Sequence, residues 1–80
     1  MKSIVIANKT LLFDKDFVDM YEETTCSILE EMAPIYLCAE TKTQSVEEAI
    51  EGKTDEEISQ IIINWARFDL EGMGISYGKI

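Results

Sequence analysis

The fold class is decided by the stretch IVIANKTLLF, residues 4–13. Two runs of β-branched and other apolar residues flank the dipeptide Asn8-Lys9, a pattern typical of two strands joined by a two-residue turn. We therefore predict a β-hairpin, and a single long strand from Ser3 to Phe13 is the alternative. Because helical patterns follow this β-structure along the chain, the sequence indicates an α+β protein.

Residues 17–32 show the clearest helical pattern. Apolar residues recur at the spacing that places them on one helix face, and acidic residues occupy the opposite face. Asp14 or Asp16 can serve as the N-cap, and Pro34 disfavours helical geometry at the residue before it. We therefore predict one amphipathic helix that ends near Pro34.

The remaining elements follow from an apolar run and two capping patterns. The run IYLCA, residues 35–39, predicts a third, central strand. Ser45 and Thr54 each open a capping box, with an acidic residue three positions later. They predict a short helix that ends at Gly52 and a long helix that reaches about residue 71. Residues 75–80 are compatible with a short edge strand.

The predicted order is β-β-α-β-α-α, with a short C-terminal strand as an optional last element. We expect one compact domain over residues 1–80, because a chain of this length builds a single core. The hairpin and the third strand would pack against two main helices in a small two-layer sandwich.

Acidic residues dominate the charge of the chain. Sixteen acidic residues face seven basic ones, and the net charge is −9. Such a chain is expected not to bind nucleic acid directly, since that requires basic residues that displace counterions from phosphates; it favours a basic protein as partner. The apolar runs are far shorter than the ~20 residues of a membrane span, and the N-terminus lacks a signal-peptide core. We expect a cytoplasmic protein without a membrane contact.

The polar face of the predicted helix 17–32 is the first candidate site. No lysine follows any of its acidic residues by four positions, so the like charges are uncompensated there. Met20 projects into this face, and an apolar anchor ringed by acids resembles a binding hot spot with a polar rim. A solvated helix face is the alternative. The predicted partner-binding residues are Asp16, Asp19, Met20, Glu22, Glu23, Glu30 and Glu31.

The long helix contains a second candidate interface. We predict that its core face consists of Ile58, Ile61, Ile62, Trp65, Ala66 and Phe68. Ile63 and Leu70 lie off that arc, on the side of Arg67, and predict an exposed apolar strip for another protein or a second copy of the chain. The alternative is that another layer covers the strip. Asp69 falls within the apolar arc near the helix end, so either the helix opens at this point or the carboxylate pairs with a tyrosine or a lysine.

Catalytic and metal-binding patterns are missing from the sequence. The chain has no histidine, which removes the commonest general base near neutral pH. The acidic segment that starts at Asp14 lacks the Gly and Glu that a calcium loop requires. We expect neither enzymatic activity, nor a metal site, nor a cofactor.

Two binding functions fit these features, and a simple metabolic or structural domain whose acidity only keeps it in solution is the third alternative. The first is an inhibitor that mimics DNA and covers the basic surface of a nucleic-acid-binding protein, like a phage-encoded anti-CRISPR or anti-restriction protein in the host cytoplasm. The second is an antitoxin, an immunity protein or a regulatory subunit that docks through Ile63 and Leu70.

Overall fold

A computed structural model describes residues 1–72 of the chain. Within this range the protein has two strands, β1 (Lys2–Ile6) and β2 (Lys9–Phe13), followed by four helices. The helices are α1 (Lys15–Thr25), α2 (Leu29–Thr41), α3 (Val46–Ile50) and α4 (Asp55–Gly72). The α+β class is confirmed. The predicted strand over residues 75–80 lies outside the described residues.

The strands form the predicted antiparallel hairpin, with Ile4 opposite Leu11 and Val5 opposite Thr10. The turn is Ala7-Asn8, one residue earlier than predicted, and both residues have positive φ angles, 48° and 69°. Asn8 belongs to both the predicted and the observed turn and tolerates this left-handed conformation, while Ala7 takes the second turn position in place of Lys9. The side chains on the inner face are buried against the helices, where β1 contacts α2 and β2 contacts α4.

The predicted single helix over residues 17–32 is wrong, because the chain turns sharply after α1. Cys26 adopts a left-handed conformation with φ 57° and ends α1 as its C-cap. The hydroxyl of Thr25 donates to the carbonyl of Tyr21 at 2.7 Å and accepts from the amide of Ser27 at 3.2 Å. A β-branched side chain that binds the backbone in this way competes with helix continuation.

The third strand is also wrong, since residues 35–39 belong to α2. Leu29, Ala33, Tyr36 and Leu37 are all buried, and their spacing is that of one helix face. Pro34 lies within this helix. Proline inside a helix removes one hydrogen bond at a cost of about 3 kcal/mol. Burial of the apolar face outweighs that cost here.

Both predicted helix starts are observed, and within the described residues the reciprocal capping box forms at Thr54. Ser45 caps α3 by accepting from the amide of Glu48 at 3.3 Å. Before α4, Thr54 accepts from the amide of Glu57 at 3.1 Å, and the Glu57 carboxylate accepts from the amide of Thr54 at 3.0 Å. The backbone hydrogen bond from Thr54 also holds the pKa of Glu57 below its usual value. These local contacts determine where α3 and α4 begin.

One hydrophobic core joins the hairpin to the helices. Its buried side chains are Ile4, Ile6, Leu11, Phe13, Phe17, Val18, Tyr21, Leu29, Ala33, Tyr36, Leu37, Ala49, Ile58, Ile62, Ala66 and Leu70. The α4 members recur every four residues, which places the core face of α4 on the side of Leu70. Phe68, predicted to be in the core, is 70% exposed.

Candidate functional site

The outward face of α1 carries Asp16, Asp19 and Glu23, opposite the buried side chains of Phe17 and Tyr21. Asp14 accepts a hydrogen bond from the amide of Asp16 at 2.8 Å and is the N-cap. An acidic residue in the first turn also suits the positive end of the helix dipole. This start of α1 therefore accounts for Asp14, and the face beyond it remains as the candidate surface.

Asp19 is compensated by a lysine that precedes it. The Nζ of Lys15, four residues earlier, lies 2.7 Å from the Asp19 carboxylate. This hydrogen bond lowers the pKa of Asp19 and raises the pKa of Lys15. The prediction that the acidic residues of this helix face are uncompensated is therefore wrong at Asp19. Asp16 and Glu23 are exposed and make no ion pair or side-chain hydrogen bond within residues 1–72.

Glu22 joins three elements of the fold. One carboxylate oxygen lies 3.4 Å from the Nζ of Lys2, on β1. The other accepts from the amide of Leu29 at 3.0 Å, at the first residue of α2. A carboxylate at this position satisfies a free amide and complements the helix dipole. Glu22 therefore stabilises the turn between α1 and α2, and its carboxylate is turned away from the candidate surface.

Glu30 and Glu31 lie on α2, so the turn after α1 separates them from the other predicted partner-binding residues. The Glu30 carboxylate accepts from the backbone amide of Val5 at 2.8 Å and thereby covers the outer edge of β1. Glu31 is exposed. Met20 is partly buried at the margin of the α1 face. The structure thus keeps Asp16, Asp19 and Glu23 together and assigns Glu22 and Glu30 to contacts within the fold.

The second predicted interface is absent as an exposed strip. Leu70 is fully buried, and Ile63 is partly buried against the core. The Nε of Arg67 is buried and makes no hydrogen bond in the described part of the chain. Spacing of four from Ile58 through Leu70 was the sequence signal for this core face.

The structure also contains a buried hydrogen-bond chain between three helices. The hydroxyl groups of Tyr21 on α1 and Tyr36 on α2 lie 2.6 Å apart, and Tyr36 donates to the carboxylate of Asp69 on α4. Burial raises the pKa of both tyrosines, and the bond to Asp69 raises that of Tyr36 further. Of the alternatives that the sequence left open for Asp69, pairing with a tyrosine is the one observed. Tyr36 was missed because its segment was predicted as a strand.

Aromatic side chains beside these hydrogen bonds form an exposed patch that the sequence patterns did not predict. Trp65 stacks on Tyr36 with ring centroids 6.0 Å apart, and its Nε1 donates to Glu40 at 2.9 Å. Phe68 lies against Trp65, at 6.5 Å between centroids, and most of its ring faces solvent. Asn64 completes a small apolar pocket there.

Residues 1–72 contain no group of three or more acidic or cysteine side chains placed to hold a metal ion. None of the helices in this range combines the length and the apolarity that crossing a membrane requires. Comparison of the chain with family models, curated proteins and solved structures found no match.

Proposed function

We propose that this protein is a non-enzymatic binding protein that covers the basic surface of a nucleic-acid-binding protein. The contact surface is the outward face of α1, formed by Asp16, Asp19 and Glu23, with Met20 at its margin. An inhibitor of the anti-CRISPR or anti-restriction type, which acts in the cytoplasm of a phage host, is the functional class that we propose.

The proposal rests mainly on the exposed carboxylates of Asp16 and Glu23, which have no cation partner within residues 1–72. Seven residues along a helix correspond to a rise of about 10 Å. Successive phosphates of one DNA strand rise about 3.4 Å along the axis and lie further apart through space, so the separation of the two carboxylates is of the order of one to two phosphate spacings. Lysine and arginine side chains that bind a DNA strand can therefore meet carboxylates on a similar scale.

The expected mechanism is competition for the same basic side chains. The carboxylates would attract the partner at long range and exclude the nucleic acid sterically once bound. Glu31 on α2 is a further exposed acid that could extend the surface. Glu22 and Glu30 would contribute little to binding, because their carboxylates are bound within the fold.

Charge reversal tests the proposal. The variant Asp16→Lys/Asp19→Lys/Glu23→Lys should lose the partner that the native protein captures from a host lysate. A matched control with the same change in net charge replaces three exposed acids elsewhere: Glu47→Lys/Glu48→Lys/Glu51→Lys. This control should keep the partner, and circular dichroism should show that both variants fold.

The captured partner is then purified and tested directly. It should bind DNA or RNA, and the native protein should displace that nucleic acid. Binding should weaken strongly near 0.5 M salt, where the Debye length is about 4 Å. A partner that does not bind nucleic acid, or that binds the triple variant as well as the native protein, would refute the proposal.

The alternative role as an antitoxin, immunity protein or regulatory subunit requires a different surface from the one predicted. Docking through Ile63 and Leu70 would have to open the fold, because Leu70 belongs to the core.

A further inference from the structure

The two outer edges of the hairpin differ in what covers them. In a two-residue hairpin the residues that flank the turn form a hydrogen-bonded pair, and the following pairs alternate. Val5 and Thr10 therefore form a pair whose amides point away from the partner strand. The bond from the Val5 amide to Glu30, at 2.8 Å, agrees with this direction. The carboxylate of Glu30 thus occupies the edge of β1 at Val5.

Within residues 1–72, the edge of β2 is open. The same alternation directs the backbone groups of Thr10 and Leu12 outward. Neither amide has a hydrogen-bond partner in the described part of the chain, and the sheet there contains only β1 and β2. Unpaired backbone groups along a strand edge are a template for another strand. The two edges of one small sheet are therefore not equivalent.

A groove of about 450 Å³ lies between this edge and the first turns of α4. Its wall on the α4 side carries two carboxylates, two polar side chains and one apolar side chain. The lining residues are Thr10, Leu11, Leu12, Asp55, Glu56, Ser59, Gln60 and Ile63. A groove between a strand edge and a helix has the shape that accepts an extended peptide as an added strand.

The geometry points to a second binding activity: the β2 edge binds an extended, basic segment of another protein as a third strand. Backbone groups of Thr10 and Leu12 would form the ladder. Alternate side chains of the bound segment would face α4: inward lysine or arginine residues would meet Glu56, with Asp55 beside it, and their aliphatic parts would contact Ile63.

Charge determines which occupant fits the groove. A second copy of this chain would bring its own Asp55 and Glu56 toward the same carboxylates, and each copy carries a net charge of −9. Like charges that are brought together in this way oppose association. Lys9 pairs with Asp55 at 3.0 Å, which leaves Glu56 as the acid of the groove without a cation partner in residues 1–72. A basic peptide is therefore the favoured occupant, and this inference does not depend on the α1 surface.

An alternating lysine–valine heptapeptide is the probe, and a glutamate–valine heptapeptide is its matched control. Nuclear magnetic resonance should show shifts of the Thr10 and Leu12 amides with the first peptide only. Their hydrogen exchange should slow at least about tenfold at saturation, since both amides become hydrogen-bonded. Shifts confined to α1, or equal binding of both peptides, would overturn the inference.

Proline substitution tests the backbone contact. Leu12→Pro removes an outward amide without removing a bond of the hairpin ladder. The affinity for the lysine–valine peptide should fall about five- to tenfold, the loss expected for one hydrogen bond. Ser3→Pro is the matched control, because Ser3 lies directly opposite Leu12 on the other edge. Leu12→Ala separates the loss of the side chain from the loss of the amide.

Charge reversal supplies a variant that does not alter the strand. Glu56→Lys should weaken binding of the lysine–valine peptide, whereas Glu47→Lys, on α3, should leave it within about twofold. Equal effects of these two variants would overturn the inference, even if Leu12→Pro failed to fold. Protection of the Thr10 and Leu12 amides in the free protein would do so as well, since the edge would then already be occupied by the chain itself or by a second copy.

Discussion

Two groups of acidic residues differ in what surrounds them. The first group binds the chain itself, at a helix start, at a strand edge and at a buried hydroxyl: Glu22, Glu30 and Asp69. The second group faces solvent without a side-chain partner in residues 1–72: Asp16, Glu23 and Glu31. The two groups have the same side-chain chemistry, so the difference lies in the neighbouring groups that each carboxylate can reach.

This comparison shows that net charge is a poor guide to a binding surface. Acids that satisfy backbone amides contribute to stability, and they are then less available to a partner. Glu22 and Glu23 are adjacent in sequence and belong to different groups, because residues that follow each other on a helix point about 100° apart. The candidate surface therefore contains fewer acidic residues than the partner-binding face predicted from sequence.

The largest expected loss of stability concerns Asp69, the acid of the first group that binds a buried hydroxyl. Tyr36→Phe removes the hydroxyl that binds both Tyr21 and Asp69. Because it leaves the Asp69 carboxylate without its hydrogen-bond donor, we expect a loss of about 2–3 kcal/mol in the free energy of unfolding. Urea denaturation followed by circular dichroism measures it.

Tyr21→Phe is the matched control for this change. It removes a hydroxyl at the end of the chain of hydrogen bonds and keeps the Tyr36–Asp69 bond, so its cost should be clearly smaller. Equal losses of unfolding free energy in the two variants would mean that the hydrogen bond from Tyr36 to Asp69 adds nothing to stability beyond the bond between the two tyrosines.

The next effect is a loss of stability in alkali. An unfolded tyrosine loses its proton near pH 10. Burial holds the pKa of Tyr21 and Tyr36 above this value in the folded protein. Above pH 10 the unfolded state therefore binds fewer protons than the native state. The free energy of unfolding should fall by about 1.4 kcal/mol per pH unit for each buried tyrosine.

Urea midpoints between pH 8 and pH 11 measure this slope. Tyr36→Phe should make it shallower, because one of the two tyrosines no longer titrates. An unchanged slope in that variant would show that Tyr36 is not the group responsible.

The smallest effect compares the two neighbouring glutamates. Glu22→Ala should cost about 1 kcal/mol, since the amide of Leu29 loses its capping carboxylate and Lys2 loses its ion pair. Glu23→Ala should stay within about 0.5 kcal/mol, as is usual at an exposed position. Thermal unfolding of both variants tests the difference, and a larger loss for Glu23→Ala would contradict the division into two groups.

Local sequence patterns predicted the parts of the fold that local contacts stabilise. The hairpin follows from two short apolar runs, and the starts of α3 and α4 follow from capping side chains three residues from their targets. Residues 24–41 were predicted wrongly in two places. The Thr25 hydroxyl closes a turn that helical periodicity alone does not reveal, and a five-residue apolar run fits a strand as well as a buried helix.

The candidate site divides in the same way. The outward positions of Asp16, Asp19 and Glu23 follow from helical spacing within α1, so the sequence was sufficient for them. The roles of Glu22 and Glu30 depend on β1 and the start of α2, which lie far from them in sequence or beyond an unpredicted turn. The groove beside β2 needs the hairpin and α4 together and has no sequence signature.

The sequence by itself determined the hairpin, the capped helix starts and the strongly acidic character of the protein, because each depends on residue types and on contacts a few positions apart. Only the tertiary structure decided that residues 35–39 are helical, that Leu70 belongs to the core, and which carboxylates remain exposed. The physical reason is that burial of an apolar face and pairing of a charge both depend on the groups that other segments bring close, and sequence spacing does not specify those groups.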